Sequence, residues 1–397
     1  ILYTLLIMFP VVASAQINTD RVMAIGRNAL YFEDYVLSIQ YFNQVINAKP
    51  YLSDPYFYRG LAKINLDDFQ GAESDCSEAI ERNPFVVSAY QVRGLARIQQ
   101  NNFAGAIEDY TKALEFAPEN IGVWHNMALC RIRQEDYKGA KNDLDKLIAI
   151  SPRYTKAYLM RGEVDLKQKD TLAAEKDFGK AIEIDRYDAD TWASRAILRL
   201  QQQRYKDAEA DFDHAIRLST RNSGVYINRA LARYHQNNLR GAMSDYDIAL
   251  DIDPNNFIGH YNRGLLRAQV GDDNRAIQDF NFVIEMEPDN MMAIFNRGLL
   301  LDQTGDYKGA IKDYSTVINE YPNFLLGYQY RAQARRKIGD VKGADADEFK
   351  VLKAQLDKQN GVDPNKQTAD NTENNKTRKK SDKNMNNYRK IVVADNE

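Results

Sequence analysis

The chain has 397 residues, of which 44% are hydrophobic and 27% are charged, and its formal net charge is -3. This length is sufficient for one large hydrophobic core or for several small cores in series. Because positive and negative charges nearly balance, the protein lacks the strong basic field that attracts nucleic acid, and we expect no nucleic-acid partner.

Residues 1–15 form an apolar segment that predicts a cleaved signal peptide. The segment ends in Ala13-Ser14-Ala15, the small-x-small pattern that signal peptidases cut, and cleavage leaves Gln16 as the first residue. The alternative, a membrane anchor, is disfavoured because the run is short for a spanning helix. The absence of an initiating Met and of a positively charged start indicates that the signal is truncated.

The predicted cleavage site also indicates a location. No Cys follows it, so we do not expect a lipoprotein anchor. A mature start at Gln16 resembles exported proteins of the Bacteroidetes group. This resemblance implies a periplasmic or outer-membrane-associated protein with no integral membrane span after signal cleavage.

A 34-residue unit recurs from about residue 19 to residue 358 without insertion or deletion. The units that begin at Phe257 and Met291 show the period most clearly. Their equivalent residues, 34 positions apart, are Gly264 and Gly298, Ala276 and Ala310, and Pro288 and Pro322. Small residues let two helices approach closely, and a proline ends a helix. A fixed period of this size is typical of a solenoid.

The order of residues within the unit resembles the tetratricopeptide repeat (TPR). An aromatic residue is followed by Gly, then by Ala-x3-aromatic and a closing Pro. The resemblance implies an all-α fold, a right-handed TPR superhelix (α-solenoid) of about ten helix-turn-helix repeats in residues 16–358. It also implies that the first helix of each repeat lines a concave groove.

An arginine and an aspartate recur 16 residues apart in these units. The arginine precedes the small residue of the first helix, and the aspartate lies midway along the second, so antiparallel helices place them at the same height. We predict a structural ladder of Arg–Asp pairs that includes Arg229, Arg263, Arg297, Asp245, Asp279 and Asp313. The alternative is that the aspartates bind cations or a basic ligand. Met127 replaces one arginine, and Arg131 is the candidate substitute partner of Asp143.

A row of asparagines precedes the ladder arginines in three units, namely Asn228, Asn262 and Asn296. A side-chain amide both donates to and accepts from a peptide backbone, so such a row suits an extended chain held in the groove. Further candidate groove residues are the aromatic side chains and histidine at Phe57, Tyr58, His125, Tyr261 and Phe295. The alternative is that these positions form the core between repeats. The Lys/Asn arrangement by which some TPR proteins hold a C-terminal carboxylate is not evident.

The sequence contains no recognisable catalytic, cofactor-binding or metal-binding motif. The four histidines fall at different places in different repeats, and no phosphate-binding Gly-rich loop or Gly-x-Ser-x-Gly is present. We therefore expect no enzyme, no cofactor and no metal. Cys76 and Cys130 lie two repeats apart, so we predict buried free thiols and no disulfide.

The composition changes after the repeats. Residues 359–387 are rich in Asn, Lys and Asp, which predicts a disordered linker. A basic interaction tail around residues 377–380 is the alternative. Residues 388–397 contain a β-branched run that resembles the start of a further domain.

These observations favour a protein–protein interaction scaffold or adaptor in the cell envelope that binds a peptide or protein segment in its groove. The alternative is the non-catalytic TPR region of a larger envelope enzyme or glycan-handling system, with the active domain beyond residue 397. A purely structural spacer is a third possibility. The sequence does not specify an oligomeric state.

Overall fold

The computed structural model describes residues 18–218, 221–360, 385 and 388–390. The chain forms two compact units, unit 1 (residues 1–186) and unit 2 (residues 187–397). The predicted signal peptide, residues 1–15, lies outside the described residues. The same holds for residues 361–384, 386 and 387 of the predicted linker, and for residues 391–397 of the predicted further domain.

Unit 1 consists of helices that follow one another in pairs. Each helix packs against the next, and the first helices of successive pairs also contact one another, α1 with α3, α3 with α5, and α5 with α7. The helices are α1 (Thr19–Tyr31), α2 (Tyr35–Ala48), α3 (Asp54–Ile64), α4 (Phe69–Arg82), α5 (Val87–Gln99), α6 (Phe103–Phe116), α7 (Ile121–Arg133), α8 (Tyr137–Ile150), α9 (Thr155–Lys167) and α10 (Thr171–Ile184).

Unit 2 repeats this arrangement, and its first helices contact one another at α11 and α13, α15 and α17, and α17 and α19. Every regular element in the described part of the chain is an α-helix, so the predicted all-α fold of about ten helix pairs is confirmed. The helices are α11 (Ala189–Gln201), α12 (Tyr205–Arg217), α13 (Ser223–His235), α14 (Leu239–Ile252), α15 (Phe257–Gln269), α16 (Asp273–Met286), α17 (Met291–Thr304), α18 (Tyr307–Glu320), α19 (Leu325–Lys337) and α20 (Val341–Gln359).

The turn between the two helices of a pair has a repeated backbone geometry. One residue in each turn has a positive φ, for example Lys169 at 65° and Gly271 at 83°. The residue that follows caps the second helix in most pairs. The side chain of Asp170 accepts a hydrogen bond from the Ala173 backbone N–H at 3.0 Å. This cap satisfies a helix N–H that has no intrahelical partner and therefore fixes where the second helix begins.

A small residue on the first helix packs against a large one on the second helix of the same pair. A Cβ atom added to Gly162 would lie 2.6 Å from Cε1 of Phe178, whose ring is fully buried. Alanine takes the small position in the pair that holds Ala196 and Phe212, both fully buried. Burying each such ring stabilises the pair by roughly 2–3 kcal/mol, so this contact is a main source of cohesion within a repeat.

Both cysteines are buried free thiols, as predicted. Burial raises the pKa of Cys76 and of Cys130 to about 12, so neither carries an appreciable thiolate fraction near neutral pH. Within the described ranges, no helix combines the length and the apolar character that crossing a membrane requires.

Candidate partner-binding site

The ladder arginines hold the aspartate of their own helix pair and also reach the preceding pair. Arg263 donates to both carboxylate oxygens of Asp279, at 2.8 and 3.2 Å, and its third nitrogen donates to Asp247 of α14 at 2.8 Å. Arg229 binds Asp245 and Asp213 in the same way, and Arg297 binds Asp313 and Asn281. A planar guanidinium that bridges two repeats fixes their register.

A second basic side chain contacts the same carboxylate in several pairs. Arg267, one helical turn after Arg263, donates to Asp279 at 2.8 Å. Arg233 makes the equivalent bond to Asp245 at 2.9 Å. Arg233 and Arg267 are not among the ladder residues predicted from the sequence, although their 12-residue spacing to the aspartate was available as a signal.

One helix pair of unit 1 lacks the first ladder arginine, and its aspartate is held from the second position alone. Met127 stands at the arginine position, and Arg131, one turn later, donates to Asp143 at 2.7 Å and to Asp136 at 2.8 Å. Burial raises the pKa of Asp143 to about 6, and the attraction of Arg131 opposes this rise without cancelling it. Asp279 differs, since its hydrogen bonds from His260 and Arg263 outweigh the effect of burial and lower its pKa.

The ladder aspartates are therefore occupied by arginines of the chain itself. Among the described residues, no group of three or more His, Cys, Asp or Glu side chains is arranged to hold a metal ion. A buried carboxylate that already has a guanidinium partner gains little from a second cationic ligand. The geometry favours a structural role for the ladder over the alternative of ligand binding.

The three candidate groove residues of unit 1 lie on two first helices. Phe57 and Tyr58 on α3 pack against each other with ring centroids 5.0 Å apart, and Tyr58 also stacks on Phe42. His125 on α7 packs edge-on against Tyr154, and burial lowers the pKa of His125, which keeps the imidazole neutral near pH 7. All three candidates are partly exposed, but each contacts a neighbouring aromatic ring of its own unit.

The asparagine row lies in unit 2, on the first helices α13, α15 and α17. We call the surface formed by α11, α13, α15, α17 and α19 the first-helix face. Asn228 and Asn262 expose none of their surface, and Asn296 is 5% exposed. In this arrangement the amides of Asn228 and Asn262 are therefore part of the packed interior.

Asn296 contacts a main-chain carbonyl from a distant part of the chain. Its Nδ2 donates to the carbonyl oxygen of Tyr388 at 2.6 Å, and the hydroxyl of Tyr261 donates to the same oxygen at 2.6 Å. The ring of Phe295 meets the ring of Tyr388 edge to face, with centroids 4.8 Å apart. The structure thus brings together three sequence-predicted residues, Asn296, Tyr261 and Phe295, around one peptide group.

A cavity of about 400 Å³ lies beside this contact. Its walls combine apolar side chains with the polar ends of Gln269, Gln303 and Asn296. Arg389 forms part of the wall. Apolar walls with a few polar groups are the usual composition of a binding site. Gln269, Gln303 and Arg389 are not among the residues predicted from the sequence. Gln269 and Gln303 occupy equivalent positions 34 residues apart, a signal that the repeat offered, whereas Arg389 lies beyond the repeats.

Comparison with protein-family models gives matches described as tetratricopeptide repeat over more than half of the chain. The matched residues are 87–120, 121–154, 155–188, 194–257 and 261–323. A search of curated protein sequences gives no match.

Several solved structures resemble the chain. The C-terminal part of a TPR repeat-containing protein from Cytophaga hutchinsonii has a TM-score of 0.52 and 15% identity, and covers 58% of this chain and 95% of its own. A TPR protein from Parabacteroides merdae has a TM-score of 0.48 and 21% identity, with coverages of 63% and 98%. YrrB, a TPR protein with an unusual peptide-binding site, has a TM-score of 0.39 and 20% identity, with coverages of 46% and 95%. At these identities the likeness concerns the fold alone.

Proposed function

Because the chain belongs to the tetratricopeptide repeat family, we propose that it is a non-catalytic scaffold that binds a protein or peptide segment on the first-helix face of unit 2. The observation that carries this proposal is the carbonyl held by Asn296 and Tyr261. Two convergent donors on one main-chain oxygen recognise a peptide backbone, whatever the side chains of the partner are.

The surroundings of these donors supply the other parts of a peptide site. The ring of Phe295, fully buried in this structure, packs against the ring of Tyr388 next to the carbonyl, and the cavity beside Asn296 has room for a further side chain of a partner. Aromatic anchors with adjacent polar groups account for most of the binding energy in typical interfaces. Repeats that stack in register hold such groups on rigid helices, which limits the entropy lost on binding.

Site-specific photocrosslinking tests the proposal. A photoreactive amino acid is placed at Gln303, an exposed cavity residue on α17, and the protein is illuminated in the cells that produce it. The control carries the same group at Thr316, which is exposed on the second helix α18. We expect a protein adduct of defined mass from position 303 that position 316 does not give. No intermolecular adduct at 303, or the same adducts at both positions, would contradict the proposal.

We also propose that the protein acts in the cell envelope after export. The support is the apolar segment 1–15 with its Ala13-Ser14-Ala15 ending. Mass spectrometry of the protein purified from an envelope fraction should find an N-terminal peptide that begins at Gln16. Recovery of peptides containing residues 1–15 from the mature protein would refute export by this signal.

A further inference from the structure

Beyond α20, the described residues Met385, Tyr388 and Arg389 lie on the first-helix face of unit 2. We call these three residues the docking segment. Met385 is 2% exposed and belongs to a hydrophobic cluster that contains Phe295 and Tyr314. The N–H of Tyr388 donates to the carbonyl of Met385 at 3.2 Å. Met385 and Tyr388 are three positions apart, the spacing at which two side chains of one helical turn lie on the same side.

The docking segment is held by its main chain at one point of the repeat array. The Tyr388 carbonyl accepts hydrogen bonds from both Tyr261 and Asn296. Burial raises the pKa of Tyr261, so its hydroxyl keeps the proton that it donates. The equivalent pair of positions is Ile227 and Asn262 one repeat earlier, and Phe295 and Tyr330 one repeat later. A tyrosine hydroxyl and an asparagine amide therefore converge at this repeat and not at its neighbours.

Each side chain of the docking segment contacts a different part of the first-helix face. The ring of Tyr388 lies perpendicular to the ring of Phe295, at an interplanar angle of 89°. Met385 contacts the same cluster from the other end of the turn, and Arg389 reaches the wall of the 400 Å³ cavity. Edge-to-face ring pairs stabilise a contact beyond the burial of their area. Main-chain and side-chain contacts together define both the position and the direction of the segment.

We propose that this part of the first-helix face recognises a single turn carrying an apolar residue and, three positions later, an aromatic residue, and that the chain's own docking segment occupies it intramolecularly. A partner with the same spacing then binds by displacing the docking segment. This inference rests on the proposed function, because it assigns the ligand class of the same site and adds a competitor to it.

The sequence around the docking segment supports an intramolecular occupant. Residues 361–384 contain Val362 and Ala369 as their aliphatic side chains and no aromatic residue, whereas Met385 and Tyr388 follow directly. A covalent connection of this length holds a segment at an effective concentration on the order of 1 mM. A segment whose free peptide binds with a Kd of about 100 µM would then be docked about 90% of the time, and a partner must overcome that occupancy.

The test measures whether the docking segment blocks its own site. A fluorescein-labelled peptide with the sequence of residues 383–391 is titrated into the full chain and into the full-length variants Tyr388→Ala and Lys390→Ala. Tyr388→Ala removes the ring that packs on Phe295, so we expect the added peptide to bind this variant with about a 10-fold lower apparent Kd than the wild type. Lys390 is exposed, so Lys390→Ala should behave as the wild type does.

A second variant locates the peptide on the site. In the Tyr388→Ala background, Tyr261→Phe removes one of the two donors to the carbonyl and should raise the Kd of the peptide about 2-fold to 10-fold. A peptide in which Ala replaces Met385 and Tyr388 should not bind. Equal affinity for the wild type and for Tyr388→Ala would overturn the proposal, as would no binding to a Tyr388→Ala chain whose circular dichroism is unchanged.

The docking segment of a second copy of the chain is the remaining possible occupant of the site. A dimer that forms with increasing concentration in gel filtration and is abolished by Tyr388→Ala would overturn the intramolecular form of the proposal. The result at Gln303 is independent of this experiment. A partner crosslinked at 303 without peptide binding retains the scaffold function and removes the inference. Peptide binding without a crosslinked partner supports the inferred ligand class of the site and contradicts the scaffold function.

Discussion

At the scale of single residues, Asp143 shows what one missing arginine changes. Met127 lies 16 residues before it, at the position where the other Arg–Asp pairs of the ladder have arginine. Burial raises the pKa of Asp143 to about 6. An aspartate in an unfolded chain titrates near about 3.9. Its contribution to the free energy of unfolding is therefore fully present below about pH 4 and is lost as the pH rises through about 6.

We expect Met127→Arg to supply the missing guanidinium, lower the pKa of Asp143 and remove this loss of stability between pH 4 and 6. A shift of about two pKa units corresponds to at most about 2–3 kcal/mol. The measurement is the midpoint of urea unfolding, followed by circular dichroism from pH 4 to 7. Met127→Leu adds no charge and should keep the wild-type dependence on pH. Identical profiles for the two variants would show that Asp143 does not cause the dependence.

A second residue-scale prediction concerns Tyr246, whose hydroxyl is buried without a hydrogen-bond partner among the described residues. Phenylalanine fills the same position in other repeats, as Phe178, Phe212 and Phe280. Because an unpaired buried hydroxyl costs free energy, Tyr246→Phe should raise the free energy of unfolding by about 1 kcal/mol. The reverse change, Phe212→Tyr, should lower it. Thermal unfolding of both variants tests this, and a less stable Tyr246→Phe would disprove it.

At the scale of helices, the distance between the two helices of a pair is set by the small residue. An added Cβ would lie 2.6 Å from the ring of Phe178 at Gly162, but 3.2 Å from the ring of Phe280 at Gly264. Alanine favours a helix by about 1 kcal/mol over glycine, whereas overpacking costs typically about 1–3 kcal/mol.

Gly162→Ala should therefore lower the melting temperature, and Gly264→Ala should leave it nearly unchanged or raise it slightly. Differential scanning calorimetry of the two variants makes the comparison. They share the same chemical change and differ in the space available to the methyl group. A larger loss for Gly264→Ala than for Gly162→Ala would refute the packing argument.

At the scale of the molecule, stability in a repeat array is local, because each helix pair packs against adjacent pairs. Asp75 in the second pair accepts hydrogen bonds from Arg59 and pairs with Lys63. Asp75→Asn leaves these cations uncompensated. We expect faster amide exchange in α1–α6 and no change in α9 and α10, measured by hydrogen–deuterium exchange with mass spectrometry. A uniform increase over all ten helices of unit 1 would show that the unit opens as a whole.

The candidate site contains a difference between repeats that the sequence does not predict. Asn228, Asn262 and Asn296 are equivalent in the 34-residue period, yet the first two are fully buried and Asn296 reaches the Tyr388 carbonyl. The period describes what repeats have in common. It cannot distinguish one member of a row from the next, because that difference depends on what packs above each one.

The sequence by itself determined the helix pairs, since the signals that form them lie within one repeat. Capping residues, small residues and aromatic residues act over a few turns of helix, and they recur every 34 positions. The tertiary structure alone decided that the docking segment meets Asn296, from which Tyr388 is 92 residues distant. No local propensity encodes such a contact, because it depends on which surface the folded repeats leave open to the rest of the chain.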